Sequence, residues 1–518
     1  MSLSHSDYPW LQVPPGSAQE LEAFAQLQTK LLPIYEEIFS DRRKPRTVVV
    51  VPSLSFDAEE LAKITGVYHY EERLLCLLLL LQLPHTHIVY ATSQPIQPSI
   101  VDYYLHLLPG VPSHHARRRL TLLSCHDASS EPLTQKLLQR PRLLQAIRNK
   151  IIALDASHLA CFNTTHLERT LAVELGLPLY GCDPALSHLG DKTHSRELFR
   201  MAGVPLADGM ERLKGEDDII HSLTVLKTRE PSLRRAVIKL NEGFSGEGNA
   251  IFSFEGAPEG EALETWVRDQ LPKRIRFEAA AETYDHYLQK FKEMEGIVES
   301  WIDGDHKRSP SVQCRVSPKG EVQILSTHDQ VLGGPSGQIF LGCTFPADKE
   351  YRLDLQELGT RIGELLRDRG VLGRFAIDFI SVKEEDKWKH YAIEINLRKG
   401  GTTLPFLMLE FLINGRYDLE SGRYLDPNGQ PRYYYASDNL QDMNYRGLTP
   451  DDLMDILVDH ELYFHSSRQE GVVFHLMGTL SQFGKLGVVC IGNSHERAKE
   501  LYDETVRVLD HEVRNMRR

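Results

Sequence analysis

The apolar positions of this chain change period several times, and each change marks an element. Ala18 to Ser40 carries Leu21, Phe24, Leu27, Leu31, Ile34 and Ile38 at helical spacing and stops at Asp41-Arg42-Arg43-Lys44-Pro45, which predicts one helix. The run TVVVVPSLSF then stays apolar without alternation up to Pro52, the mark of a strand covered on both faces in a parallel sheet. The longest apolar run, Leu74 to Leu83, is about half of what a membrane span needs and predicts one buried helix. Strand His87 to Ala91, helix Ser99 to Leu108 and strand Leu120 to Ser124 follow, so residues 46 to 185 predict an α/β domain on a parallel sheet. Pro52-Ser53-Leu54-Ser55 and Thr92-Ser93-Gln94-Pro95 sit after strands, where such sheets hold ligands, but read more simply as strand-to-helix turns.

From Ser187 the pattern shifts. SHLGDKTHSRELFRMAGVPLADG predicts a helix around Lys192, closed by Gly203 and Pro205. RAVIKLNEGFSGEGNAIFS, residues 235 to 253, predicts a strand, a glycine-rich loop and a second strand, with Lys239 on the incoming strand. GIVESWID, residues 296 to 303, predicts an apolar strand interrupted by Glu299. Residues 311 to 342 predict two strands and a loop, LGGPSGQIFLG, placed to close on a substrate. Near the end come a capped helix, Thr449 to Asp459, a hairpin with a glycine-bearing turn, Gly471 to Ile491, and a charged helix opened by Ser494.

The densest chemistry lies between Gly373 and Gly401. Two alternating runs flank a charged loop, Lys383 to Lys389, and predict a β-hairpin. Alternation puts Arg374, Ala376 and Asp378 on one face of the first strand and Phe375, Ile377 and Phe379 on the other. On the second strand it puts Glu394, Asn396 and Arg398 on one face, with Tyr391, Ile393, Ile395 and Leu397 opposite. If the apolar faces coincide, the polar ones share one space. Two carboxylates and an amide suit Mg²⁺, which completes its shell with water and phosphate. Arginine beside such an ion grips phosphate or carboxylate with two parallel hydrogen bonds. The bland alternative is a half-buried hairpin with one solvated face. The acidic-Ile-Asn triplet running into Arg398 and a double glycine argues against it, so the hairpin reads as the floor of a Mg²⁺-nucleotide site.

Composition narrows the classes. The 518 residues favour two to four domains, and 41% hydrophobic content can bury their cores. A net charge of -13 argues against binding driven by nucleic-acid phosphates. The 7 cysteines include no CxxC pair and read as reduced thiols. The N-terminus lacks the basic and apolar regions of a signal peptide, so the expected location is cytoplasmic, without a membrane. His460-Glu461 is followed by Phe464 and His465, which breaks the HExxH zinc spacing.

The glycine-rich stretch Gly243, Phe244, Ser245, Gly246, Gly248 lets backbone approach a ligand closely, as phosphate-cradling loops do. It is not a Walker loop, a dinucleotide fingerprint (Ile251 takes the last glycine's place) or a nucleophile elbow (Glu247 takes the second glycine's place). A plain flexible turn would look the same.

In order, the chain shows Lys192; Lys239 before GFSGEG; GIVESWIDG; and Asp378 followed by Glu394-Ile395-Asn396. This resembles the ATP-grasp superfamily, in which ATP lies between two α+β subdomains. VVVVPSLSFD, GVYHYEERLL, GRFAIDF, EINLRKGGTT and GVVFHLMGTLSQFGKLGVVCIG are further similar to pheganomycin-type peptide ligases, and the resemblance spans residues 45 to 510. It implies an α/β and α+β multidomain chain. An N-terminal helical extension (1–45) precedes a parallel-sheet pre-ATP-grasp α/β domain (46–186), an ATP-grasp domain (187–410) and a small α+β C-terminal domain (411–518).

The resemblance implies ATP and Mg²⁺ as cofactors. Lys192 and Lys239 match the lysines on the phosphates, and Gly243 to Gly248 the loop above them. Glu299, Trp301 and Ile302 match the hinge that reads adenine through backbone groups, with Asp303 or Asp305 at the ribose. Asp378, Glu394 and Asn396 match the Mg²⁺ ligands, and Arg374 and Arg398 the arginines that stabilise the transferring phosphoryl group. Arg374 departs from the pattern: many ATP-grasp enzymes place it two residues before the aspartate, where this chain has Ala376.

The implied reaction joins a carboxylic acid and an amine through an acyl phosphate, which needs positioning and charge neutralisation and no protein nucleophile. A kinase acting on a small-molecule hydroxyl and a non-catalytic ATP-binding regulator are the alternatives. The partners expected are small molecules, an amino acid or peptide among them, with no nucleic acid; a homodimer is left open. Glu71, Glu72 and Arg73 in HYEERLL, and Ser336 with Gly337, are candidates for substrate contact.

Overall fold

Arg46–Val51 is buried at every position and sits inside a four-stranded parallel sheet, ordered Leu120–Ser124, Thr86–Thr92, Arg46–Val51, His158–Cys161. A strand buried on both faces needs no alternation, which is why the sequence there reads as a continuous apolar run. The structure is a computed structural model, and it describes residues 13–56, 61–62, 64–242, 248–279, 282–333, 337 and 339–516.

Two predictions in this region change. The single helix expected from Ala18 to Ser40 is two, Ala18–Gln28 and Leu31–Ser40. Pro33 has no N–H to donate to the carbonyl of Thr29, and the Thr29 hydroxyl turns back onto the Gln26 carbonyl at 2.7 Å, so the ladder breaks between them. The apolar run Leu74 to Leu83 lies, but for its last residue, in Val67–Gln82, which coils as a 3₁₀ helix; it is buried, as expected, against the helix Thr403–Ile413. The serine turns are internal braces. The Ser55 hydroxyl donates to Glu168 at 2.5 Å, and the Ser93 hydroxyl donates to Glu71 at 2.6 Å.

A second, five-stranded antiparallel sheet runs Gly209–Leu213, Gly296–Ser300, Arg235–Leu240, Asn249–Ser253, Arg276–Phe277. Its apolar side packs on the helices Glu216–Arg229, Ala262–Arg274 and Tyr284–Met294 through Ile220, Leu223, Val267 and Phe291.

The third sheet has eleven strands. Pro310–Val316 lies between Val322–Gly333 and Gly373–Glu384, and Lys387–Asn396 pairs on the far side of the latter. In the other direction Val322–Gly333 pairs with Ile339–Phe345, which pairs with Pro431–Gln441 and so leads to Lys485–Gly492 and Gly471–His475. The loop expected over LGGPSGQIFLG is therefore partly strand. Gly342 serves close strand approach: a Cβ there would stand 2.1 Å from the Ala436 carbonyl oxygen. The closing hairpin pairs antiparallel, but Leu476 to Gly484 carries a 3₁₀ turn (Met477–Thr479) and a short helix (Leu480–Phe483) in place of a tight turn. Among the described residues no helix is long and apolar enough to cross a membrane, and all seven cysteines are buried and unpaired.

Candidate active site

The hairpin turns at Glu385-Asp386, whose φ values of 47° and 65° fit a two-residue turn of the primed kind. The charged loop is thus shorter than Lys383 to Lys389, and both strands run into it. Asp378 stands directly opposite Glu394 and Ala376 opposite Asn396, so the polar faces coincide as alternation predicts. One residue later the register slips: Phe379 pairs with Ala392, and Ile393 is left as a bulge. Ile393, which alternation puts on the opposite face, lines the cleft as a result, together with Phe379.

The cleft has a volume of about 430 Å³ and lies between the five-stranded sheet and the hairpin. Lys239, Gly248, Glu299, Trp301 and Ile302 line one wall, and Asp378, Glu394, Asn396 and Arg398 the other. Lys192 enters as the first residue of the helix Lys192–Met201, whose N-terminus is capped by the Asp191 carboxylate accepting from the His194 N–H at 2.7 Å. Its ammonium forms a salt bridge with Glu394.

Asp378 accepts from Gln330 Nε2 at 2.9 Å and from Asn396 Nδ2 at 3.0 Å, and the Asn396 amide also donates to Glu394 Oε1 at 3.1 Å. Burial and the charge of Glu394 push the Asp378 carboxyl up to about 7, against a hydrogen bond from Ser311. Burial also works against ionisation of Glu394, but the Lys192 ammonium prevails and holds it down, at about 2. Two carboxylates forced together in this way are relieved by a cation between them. No group of three or more His, Cys, Asp or Glu among the described residues could hold a metal alone. Two carboxylates and an amide, all oxygen donors, fit Mg²⁺ that draws the rest of its shell from water and phosphate.

Glu299 does more than its strand position suggests. Its side chain is 5% exposed and bridges Lys239 and Arg196, the latter at 2.7 Å. Arg196 is itself tied to Glu211 Oε1 at 2.5 Å and to the Ala207 carbonyl at 2.8 Å. Burial opposes the charge on Glu299, and the two cations override it and keep it ionised. Next to it, the N–H groups of Ser300 and Trp301 donate to the carbonyls of Asp208 and Arg235 at 2.8 and 3.1 Å. The Trp301 ring lies beneath Arg235 and Lys307, 4.5 and 4.6 Å from its centroid, and Lys307 donates to the Ile302 carbonyl at 3.1 Å.

Not every predicted residue arrives here. Arg374 shares strand parity with Asp378, yet its guanidinium pairs with Glu410 at 3.2 Å and is absent from the cleft lining. Asp303 pairs with Arg235 at 2.7 Å and is half-exposed, also outside the lining. Gly243, Phe244, Ser245, Gly246 and Ser336 lie outside the described residues; Gly337 lines the cleft. Glu71 and Glu72 turn inward, to Ser93 and to the Gly478 N–H at 3.2 Å, whereas Arg73 faces the cleft. Burial lowers the affinity of the Arg398 guanidinium for its proton, and Glu394 and Asp378 counter this.

Sequence reasoning missed Arg196, Gln330, Lys307, Tyr70, Asp438 and Lys485. Gln330 stands two residues after His328 on Val322–Gly333, where an unbroken polar run from Ser326 gives no alternation to read its place from. The others sit on elements whose mutual placement no local period encodes.

Two family models match: "IQCH-like, ATP-grasp" over residues 262–420 and "PGM1 C-terminal domain" over 452–505. The L-propargylglycine–L-glutamate ligase of Streptantibioticus cattleyicolor is 27% identical over 465 residues, 87% of this chain and 92% of that protein. The IQ motif-containing protein H of Danio rerio is 22% identical over 427 residues, 73% of this chain and 40% of that protein. The biotin carboxylase of Campylobacter jejuni, solved as a β,γ-ATP complex, superposes with a TM-score of 0.51 at 12% identity, covering 87% of this chain and 88% of its own. At that identity the likeness shows a common fold.

Proposed function

We propose that this chain, which has the ATP-grasp fold, is an ATP-dependent carboxylate–amine ligase that forms a peptide-like amide through an acyl phosphate. One observation carries the reading: two carboxylates, an amide, two lysines and an arginine, brought by both strands of the hairpin and the turn after it, a helix and a strand of the smaller sheet, face a single cleft between two sheets. The ligase named above, similar along most of both chains, supports it.

Asp378, Glu394 and Asn396 would hold Mg²⁺, which when bound supplies positive charge to the phosphates. Lys192 and Lys239 bind the phosphates, and Trp301 and Ile302 border the adenine. With the N–H groups of Ser300 and Trp301 engaged, recognition there falls to the Ile302 backbone and to packing with Phe379 and Ile393. Glu299 orients Lys239. Arg374, tied to Glu410, is given no part in the chemistry.

A carboxylate oxygen of the acid attacks the γ-phosphorus, the bond to the β–γ bridging oxygen breaks, and ADP leaves. The amine then attacks the acyl carbon, the tetrahedral intermediate collapses, and inorganic phosphate departs with the C–O bond. Arg398 faces the charge that develops on the phosphoryl and acyl oxygens.

The test is phosphate release from Mg·ATP with amino acids and short peptides offered singly and in pairs. A ligase releases phosphate only with acid and amine together, and Glu394→Ala abolishes release. A phosphate ester recovered with the acid omitted would establish a kinase instead.

A further inference from the structure

Beyond the phosphate-binding end, the cleft continues between the 3₁₀ helix of the first domain and the last strands of the chain. Tyr70, Arg73, Asp438, Asn439 and Lys485 line this far end. Arg73 Nη2 pairs with Asp438 Oδ2 at 2.5 Å, with side-chain exposures of only 12% and 13%. Lys485 Nζ donates to the Tyr70 hydroxyl at 2.8 Å, and both cations lie over the Tyr70 ring, Arg73 at 4.3 Å and Lys485 at 5.3 Å from its centroid. Arg73 and Arg398 line the same cleft, so this end adjoins the reacting groups.

Such an arrangement is costly to keep for stability alone. A half-buried ion pair contributes little once desolvation is counted, and a second cation beside Arg73 adds repulsion. A ligand bearing two anionic groups and one amine complements it. We propose that this end of the cleft is the acceptor subsite and that it takes an acidic α-amino acid. Arg73 and Lys485 receive the two carboxylates, and Asp438 receives the amine. This rests on the ligase reading, since only a molecule whose carboxylates are held, not activated, presents its amine to the acyl phosphate. The ammonium first gives a proton to the Asp438 carboxylate and so becomes the nucleophile; its nitrogen then bonds to the acyl carbon, and its second proton passes to the phosphate that leaves with the electron pair of the C–O bond.

The experiment is calorimetric titration of the full chain, with and without Mg·AMP-PNP, using L-glutamate, L-aspartate, L-glutamine, L-asparagine and L-glutamic acid α-amide. The expected result is binding of an acidic amino acid, weaker by roughly 10- to 100-fold when either carboxylate becomes an amide. Arg73→Met and Lys485→Met each weaken it by a similar factor and leave Mg·AMP-PNP binding unchanged. Lys485→Met removes no salt bridge, so it reports on the subsite even if Arg73→Met fails to fold. Equal binding of amides and acids, or no binding of any of the five, overturns the proposal while Mg·AMP-PNP binding leaves the ligase reading standing. Loss of nucleotide binding by the unaltered protein would instead count against that reading.

Discussion

Replacing Glu299 by Gln tests how the cleft is held together. The substitution keeps the shape and removes one charge from between two cations. Lys239 is 7% exposed at its side chain and Arg196 2%, so water cannot take over. Breaking a buried pair by removing one partner costs about 3–5 kcal/mol, because the remaining charge stays desolvated. Arg196 keeps Glu211 at 2.5 Å, so the charge left uncompensated is that of Lys239, which places Glu299→Gln toward the lower end. Lys239→Met should cost less, since Glu299 keeps Arg196 at 2.7 Å. In the double variant the Lys239 charge is already gone, so the cost falls short of the sum by at least about 2 kcal/mol. Urea unfolding followed by tryptophan fluorescence is the assay, because Trp266 and Trp301 both belong to this layer. A Glu299→Gln variant within about 1 kcal/mol of the parent, with additive singles, would refute the claim that the triad is a desolvated unit.

Arg398→Ala should lower turnover by about 10²–10³, whereas Arg374→Ala should cost about 1–2 kcal/mol of stability with kcat within a few-fold of the parent, because it loses the Glu410 pair; steady-state kinetics beside urea melts separates the two. Asp378→Asn should raise the Mg²⁺ concentration needed for half-maximal turnover without a comparable change in the Mg²⁺-free thermal midpoint, as a magnesium titration would show. His328 is fully buried, accepts or donates one bond to the Tyr434 hydroxyl at 2.6 Å, and is held neutral by burial, its pKa lowered to about 3. The unfolded chain binds a proton near pH 6.5. Stability is therefore lost as pH falls from there toward 3, by about 1.4 kcal/mol per unit from this residue alone. His328→Phe should remove that slope, which urea midpoints at pH 7, 6 and 5 would reveal.

Local chemistry fixes whatever follows from a period or a missing donor. Alternation from Gly373 to Asn396 determined that Asp378, Glu394 and Asn396 share a face, because successive strand side chains must point to opposite sides. The unbroken apolar run at 46 to 51 determined a strand buried on both faces. Pro33 was equally visible, yet the apolar spacing alone read Ala18 to Ser40 as one helix and passed over the break. Tertiary structure decided the rest. The bulge that turns Ile393 into the cleft depends on how two strands pair, not on either strand's pattern. Arg374 has the right parity for the site, but Glu410, on a helix that packs elsewhere, claims it. Arg73 meets Asp438 across 365 residues of sequence, and Lys485 reaches Tyr70 across 415. A period describes which way a side chain points from its own backbone; which charge waits there is set by the packing of a distant element, and only the folded chain brings the two together.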